Sequence, residues 1–186
     1  MLTSNLVSLR PLEAEDLDFL YELENDPAVW AVSDTLVPVS RFTLRQYLSS
    51  ASADFFEVRQ LRLVLEETAT GAAAGTVDIF GFEPLHQRAG IGITVLARYR
   101  RRGLAQAALA LLVPYARQVL RLHQLHCTIA ADNRASLRLF RQAGFRRVGV
   151  RQAWLRGPGG WLDAVEMQLL LPGEPAGEGR PVSRPG

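Results

Sequence analysis

The segment from residue 89 to residue 129 constrains the fold of this chain more than any other. Ala89–Leu96 is an apolar, β-branched run that predicts a buried strand. A basic loop, Arg98–Arg102, follows it, and Leu104–Leu122 then repeats apolar residues at helical spacing. With a further strand expected at Gln124–Ile129, this is a strand–helix–strand unit, whose crossover makes the two strands parallel.

The remaining elements predict an α/β (α+β) fold. We expect a mixed, mostly antiparallel seven-stranded sheet with a parallel central pair, flanked by about four helices. Residues 1–171 would form a single domain, and the Pro- and Gly-rich residues 172–186 a disordered tail. The other expected strands are Asn5–Arg10, Arg62–Glu67, Ala74–Phe82, Arg146–Leu155 and Asp163–Leu171, and the other helices are Glu13–Asn25, Ser40–Ser50 and Arg134–Ala143.

Composition excludes several classes of protein. No apolar run approaches the roughly 18 residues that span a bilayer, and the N-terminus lacks a signal-peptide pattern. The single cysteine, Cys127, excludes an internal disulfide and offers no metal-ligand spacing, so we expect no metal site and a cytoplasmic location. The net charge of +2 is too small to indicate nucleic acid, and all 21 basic residues are arginine, which excludes a lysine nucleophile.

Charge is unevenly distributed along the chain. Residues 11–40 contain eight acids and no base, whereas Arg98–Arg102 is sharply basic. The acidic helix at 13–26 could line a groove that attracts a cation, with Trp30, Trp154 and Trp161 as its walls. The alternative is that both segments are solvated faces and the tryptophans are core residues.

The start of the helix after the basic loop has the features of a phosphate site. Gly103 and Ala105 are small enough for a ligand to approach the backbone. A helix start presents free N–H groups and a positive dipole end, and nearby arginines add charge-assisted hydrogen bonds. The alternative is a tight strand–helix turn with a solvated arginine cluster.

Two motifs here resemble those of the GNAT N-acetyltransferases. Arg100-x-x-Gly103-x-Ala105 resembles the family's acetyl-CoA signature, and the stretch from Asn133 to Phe145 resembles its N-x-x-S-x-x-x-[Y/F]-x-x-x-G-F block. The opening, with Leu9-Arg10-Pro11 and Asn25-Asp26-Pro27, is similar to the ribosomal-protein N-acetyltransferase and spermidine acetyltransferase branches. The resemblance covers roughly residues 5–171 and implies acetyl-CoA as cofactor.

The resemblance also implies roles for individual residues. The backbone at Ile93 and Val95 would pair with the pantetheine arm, and N–H groups of the loop and helix start would hold the pyrophosphate with the Arg100 side chain. Asn133 would contact the cofactor, although a helix cap is the alternative. The implied cofactor-binding residues are Ile93, Val95, Arg100, Arg101, Arg102, Gly103, Leu104, Ala105, Asn133, Ser136 and Phe140.

Phe140 departs from the family pattern. Many relatives supply a general acid as a tyrosine at this position, and phenylalanine cannot donate a proton. Another group or water would then serve, the thiolate would leave unassisted, or activity would be lost. The alternative interpretation of Phe140 is a core residue beside Leu137.

Three side chains are candidates for a general base. Asp78 lies between apolar strand residues and matches an acidic position of spermidine acetyltransferases, an environment that favours a base. Glu83 and His86 lie in the loop that follows, and histidine exchanges protons near neutral pH. The alternatives are a solvated strand residue at 78 and an exposed loop histidine at 86.

These features predict an acetyl-CoA-dependent N-acetyltransferase acting by direct attack of a primary amine on the thioester. The acceptor would be a polyamine, an aminoglycoside or a basic protein N-terminus. One alternative is a catalytically weak acyl-CoA-binding module, and a remote one is an RNA-associated protein that uses Arg100–Arg102 and Arg134–Arg141. We expect no membrane partner, and the apolar strand Val165–Leu171 could pair between subunits of a homodimer.

Overall fold

The computed structural model describes residues 2–30, 37–50, 55–157 and 159–171, which form one eight-stranded mixed sheet. The tail predicted for 172–186 lies outside these residues, as does Asp34 of the acidic segment. The sheet has the order β1-β2-β3-β4-β5-β6-β8-β7, in which β5 and β6 are parallel and all other neighbours antiparallel. The strands are β1 Leu2–Thr3, β2 Val7–Arg10, β3 Gln60–Glu67, β4 Ala72–Glu83, β5 Arg88–Val95, β6 Gln124–Ala130, β7 Arg146–Gly157 and β8 Gly160–Leu170.

This sheet confirms the predicted fold class and the parallel central pair. The eighth strand is β1, whose two residues pair with Ser8 and Leu9 and are too few to give a sequence pattern. The suggestion that Val165–Leu171 pairs between subunits is wrong. Strand β8 has β6 on one side and β7 on the other, so its backbone groups are already hydrogen-bonded within the chain.

All four predicted helices are present, with two short additions. Ser40 caps its helix as expected, because its Oγ accepts from the Thr43 N–H at 3.1 Å. The long helix ends at Gln118 rather than at Leu122. The helices are α1 Leu17–Glu24 (after a 3-10 turn, Ala14–Asp16), α2 Pro27–Trp30, α3 Arg41–Ser50, α4 Phe55–Val58, α5 Leu104–Gln118 and α6 Arg134–Gln142. Within the described ranges, no helix is long and apolar enough to span a bilayer.

The two faces of the sheet carry different kinds of residue. On one face, alternate side chains such as Leu65, Ile79 and Ile91 form a core with α5, and each is at most 2 % exposed. Burying a side chain of this size stabilises the fold by roughly 2 kcal/mol. On the other face, Arg62 reaches Glu24 of α1 and lies under Tyr47 of α3. We call this second surface the polar face.

Candidate active site

The parallel strands β5 and β6 separate soon after they meet. They pair only at Arg88–Gln124, Ala89–Leu125 and Gly90–His126. Beyond this point β5 continues to Val95 beside β4 alone, while β6 continues to Ala130 beside β8. At about 3.3 Å per residue, the five residues from 91 to 95 leave a gap roughly 16 Å long. Backbone groups of β5 that face this gap have no strand partner, and Ile93 and Val95 lie along it, half-buried.

At the Val95 end of β5, the gap leads to the start of α5. Gly103 is the N-cap residue and has a left-handed conformation, with φ of +80°. A Cβ atom there would meet only Leu6 Cδ1, at 3.8 Å, so glycine is required by the backbone angle and not by crowding. No side chain caps α5, which leaves the first-turn N–H groups of Leu104 and Ala105 available to an anion. These donors fit a pyrophosphate.

The arginines of the loop are not equivalent. Arg100 Nε donates to the Val95 carbonyl at 2.8 Å, which fixes the side chain across the end of β5 and leaves its terminal nitrogens available. Arg102 contacts Glu67 at 3.3 Å, and Arg98 pairs with Glu22 of α1. Arg101 is exposed, has a φ of +64° and forms no ion pair among the described residues. The cations best placed for a phosphate are therefore Arg100 and Arg101.

Helix α6 begins just beyond the β6 side of the gap. The Asn133 side chain caps it, with Oδ1 accepting from the Ser136 N–H at 3.1 Å. The cap leaves the side-chain amide of Asn133 available to a ligand. Phe140 is 4 % exposed and packs edge-to-face on Phe145, with ring centroids 5.1 Å apart. The surroundings of Phe140 are those of a core residue, which was the alternative interpretation of its sequence position.

The three candidate bases lie at two different places. Asp78 pairs with Gly92, beside the separated part of β5. Glu83 binds Arg88 at 2.7 Å, and His86 lies 3.5 Å from Glu83, both at the far end of the hairpin from Gly103. Asp78 is thus the one of the three that lies beside the separated part of β5. The sequence argument missed its partner: Arg62 Nε donates to Asp78 Oδ1 at 2.6 Å.

The acidic segment at 13–26 is a largely exposed surface on which four of the acids form ion pairs. Asp16, Asp18, Glu22 and Glu24 each pair with an arginine from a different part of the chain: Arg10, Arg41, Arg98 and Arg62, respectively. Burial acts to raise the pKa of Asp16, but hydrogen bonds from Arg10 and from the Glu13 N–H hold it below its ordinary value. The helix is fixed to the sheet and to the basic loop by these pairs.

His126 is a further site residue that sequence reasoning did not single out. It is the last residue of β6 that pairs with β5, and it adjoins a groove of about 420 Å³ that Glu83, Arg88 and Glu166 also line. Partial desolvation lowers the pKa of His126, against an opposing effect of Glu166. A neutral imidazole at the start of the gap can accept a proton. A histidine in an alternating strand was the available signal, but its position depends on where β5 and β6 part.

Across the described residues, no three His, Cys, Asp or Glu side chains come together in a way that could hold a metal ion. The gap between two parallel strands and the uncapped helix at its end instead fit an α/β transferase with a phosphate-bearing cofactor.

Comparison with known protein families identifies which family of transferases this chain belongs to. Residues 7–146 match the acetyltransferase (GNAT) domain, and the chain belongs to this family. The family match confirms the resemblance found in the sequence. GNAT acetyltransferases use acetyl-CoA, which is therefore the cofactor of this chain.

Relatives and solved structures agree with this assignment. The chain is 28% identical over 156 residues to the spermidine N(1)-acetyltransferase of Escherichia coli K12, covering 78% of this chain and 75% of that protein. It is 27% identical to an uncharacterised N-acetyltransferase of Bacillus subtilis, covering 68% and 72%. The fold matches the spermidine N-acetyltransferase of Vibrio cholerae, solved with CoA and spermine, with a TM-score of 0.82, 21% identity, and coverage of 90% and 97%.

Proposed function

We propose that this chain transfers an acetyl group from acetyl-CoA to a primary amine of a small cationic molecule, with polyamines as the first class to test. The single observation that carries the proposal is the strand gap that leads from the Gly90–His126 pair to Gly103 and the uncapped start of α5. The relatives named as spermidine acetyltransferases support the choice of acceptor class.

Each wall of the gap has a proposed role in binding the cofactor. The backbone at Ile93 and Val95 would pair with the pantetheine arm, as an additional strand would. The N–H groups from Arg101 to Ala105, including those of Arg102, Gly103 and Leu104, would bind the pyrophosphate together with Arg100, while Asn133 and Ser136 border the opposite side. Bound there, acetyl-CoA supplies an activated thioester carbonyl to the acceptor amine.

The acceptor has to lose a proton before it can attack. An alkyl ammonium group of the lysine type has a pKa of about 10.4, so it is mostly charged and unreactive at neutral pH. Asp78 lies across β5 from the gap, and His126 is in the last residue pair before it; we assign the base to one of them, directly or through water. The attacking nitrogen forms the new bond to the acetyl carbon as the carbon–sulfur bond breaks. The nitrogen then releases its surplus proton to solvent, and the thiolate takes one up.

One observation favours a second candidate, a catalytically weak acyl-CoA-binding module. Phe140 has no proton to donate and lies in the core, so it offers no acid for the departing thiolate. The two candidates share the cofactor site and differ only in turnover.

Calorimetric titration with acetyl-CoA, followed by a thiol-release screen, separates the candidates. The screen would cover polyamines, aminoglycosides and basic peptides. Binding with thiol release on polyamines is the expected result. Binding without release on any acceptor would favour the module, and the absence of binding would refute the cofactor site.

A further inference from the structure

An exposed phenylalanine lies on the polar face next to the strand gap. Phe80 is 44 % exposed, which is unusual for a phenylalanine in the middle of a sheet. It pairs with Gly90 of β5, and Gly90 in turn pairs with His126 of β6. Phe80 and His126 are therefore in one row across the sheet, with only a glycine between them.

The ring of Phe80 lies across the glycine. A Cβ atom on Gly90 would come within 2.6 Å of Phe80 Cζ, closer than any real contact, and one on Gly92 would lie 3.6 Å from Phe80 Cε1. The ring thus occupies the space of the missing side chain at Gly90 and extends to contact distance from Gly92. The register of β4 shifts just after Phe80, where Gly81 has a φ of +59°. A bulge of this kind redirects neighbouring side chains, and it accompanies the flat placement of this ring.

The charges near the ring are suited to a cation. Asp78 lies two residues before Phe80 on the same face of β4, with its side chain 13 % exposed. Arg62 is shared between Asp78 and Glu24, so this cluster of two carboxylates and one guanidinium has an excess negative charge. An aromatic face beside excess negative charge attracts an organic ammonium ion, and more strongly when water is excluded.

We propose that Phe80 is the floor of the acceptor site and binds an ammonium group of an alkyl di- or polyamine by cation–π contact. This inference rests on the proposed function and names its acceptor subsite. A reacting amine has to be neutral when it attacks, whereas a second ammonium group of the same molecule keeps its charge. Such a group can stay on the ring beside Asp78 while the first amine reaches the gap.

The alternative is that Phe80 only covers two glycines and stabilises the sheet. The two roles differ in what a leucine at this position would change. Leucine preserves apolar cover but removes the negative ring face, so a purely structural Phe80 would show lower stability with unaltered acceptor binding. Tyrosine keeps the ring face and should preserve acceptor binding.

Calorimetric titration of the CoA-saturated protein with spermidine tests the inference. Phe80→Leu should weaken spermidine binding roughly 3- to 30-fold, the range of a cation–π contact, while the affinity for acetyl-CoA stays unchanged. Phe80→Tyr should bind as the parent does. Gly90→Ala should reproduce the loss, because its Cβ displaces the ring. Phe56→Leu is the matched control, since Phe56 is 61 % exposed on α4 and packs on Phe82 in another aromatic cluster.

Each outcome is decisive for one proposal or the other. Equal spermidine affinity in the parent and in Phe80→Leu, or no binding to the parent, overturns the acceptor subsite. Weaker binding by Phe80→Leu in a protein that binds spermidine without acetylating it supports the subsite and excludes spermidine as a substrate. If the parent and Phe80→Leu acetylate spermidine with the same KM, the proposed transferase function is supported and the Phe80 subsite is refuted.

Discussion

Arg62 and Asp78 face each other across β3 and β4, and the Arg62 Nε atom donates to Asp78 Oδ1 over 2.6 Å. The same guanidinium binds Glu24 at 2.7 Å, which fastens the end of α1 to the sheet beside the separated part of β5. A carboxylate in this network has a fixed orientation.

Asp78→Asn should lower turnover by roughly 100-fold or more if Asp78 is the base, with little change in acetyl-CoA affinity. Asparagine keeps an oxygen for Arg62, so the network retains its shape while the proton acceptor is lost. The measurement is kcat/KM as a function of pH, alongside a calorimetric titration. Glu83→Gln is the comparison, because Glu83 lies at the other end of the hairpin. Unaltered turnover of Asp78→Asn at every pH would remove Asp78 as the base and leave His126.

Sequence patterns predicted those elements around the site whose structure is determined by residues close together in the chain. The strand, the basic loop and the helix start at Gly103 follow from residue types within about fifteen positions, and Ser40 and Asn133 act as the caps that their sequence positions favour. The parallel pair followed from the length of the crossover.

Features that depend on strand register could not be predicted. The Arg62–Asp78 pair and the Phe80–Gly90 contact join residues whose alignment is set by hairpin geometry and bulges, which the sequence does not specify. The predicted end of α5 was wrong because Leu122 continues the apolar spacing. Leu122 is 3 % exposed, but it packs into the core from beyond the helix, which ends at Gln118.

The Asp16–Arg10 pair should make stability depend on pH in the acid range. The pKa of Asp16 is lower in the folded chain than its ordinary value of 3.8. The ionised carboxylate therefore stabilises the fold at every pH above 3.8. This stabilisation is lost as the pH falls through the pKa of Asp16 in the folded chain. Asp16→Asn should cost about 1–3 kcal/mol at neutral pH, and the difference from the parent should shrink below about pH 4.

Urea unfolding of the parent and of Asp16→Asn across this pH range is the measurement. Asp18→Asn is the control, because Asp18 pairs with Arg41 while its side chain is 83% exposed, and exposed pairs contribute only about 0–1 kcal/mol. A difference between parent and Asp16→Asn that does not vary with pH would contradict the assignment.

Cys127 should be unreactive in the folded protein. Its side chain is 4 % exposed in the core, and burial raises the pKa of the thiol to about 12. A thiol reagent at pH 8 should therefore label the chain only after unfolding. An unreactive Cys127 is important for a thiol-release assay, because every thiol that the assay detects should then come from released coenzyme A. Fast labelling of the native protein would show that β6 opens or that the packing around residue 127 is different.

Gly103→Glu should abolish acetyl-CoA binding. The substitution adds a negative charge where the pyrophosphate would lie and a side chain in the space above the helix start. The left-handed φ of +80° adds a conformational cost of roughly 1–2 kcal/mol, which could by itself lower stability. Gly71→Glu is the matched control, since Gly71 has a φ of +69° and open space around it, in a turn between β3 and β4.

Both variants should lose similar stability, and only Gly103→Glu should lose the cofactor. Calorimetric titration with acetyl-CoA and thermal unfolding of the two variants provide the comparison. Equal loss of affinity in both would mean that backbone strain, acting through the fold, explains the effect. Parent-like affinity in Gly103→Glu would place the pyrophosphate elsewhere, because a carboxylate and a pyrophosphate cannot share the same N–H donors without strong repulsion.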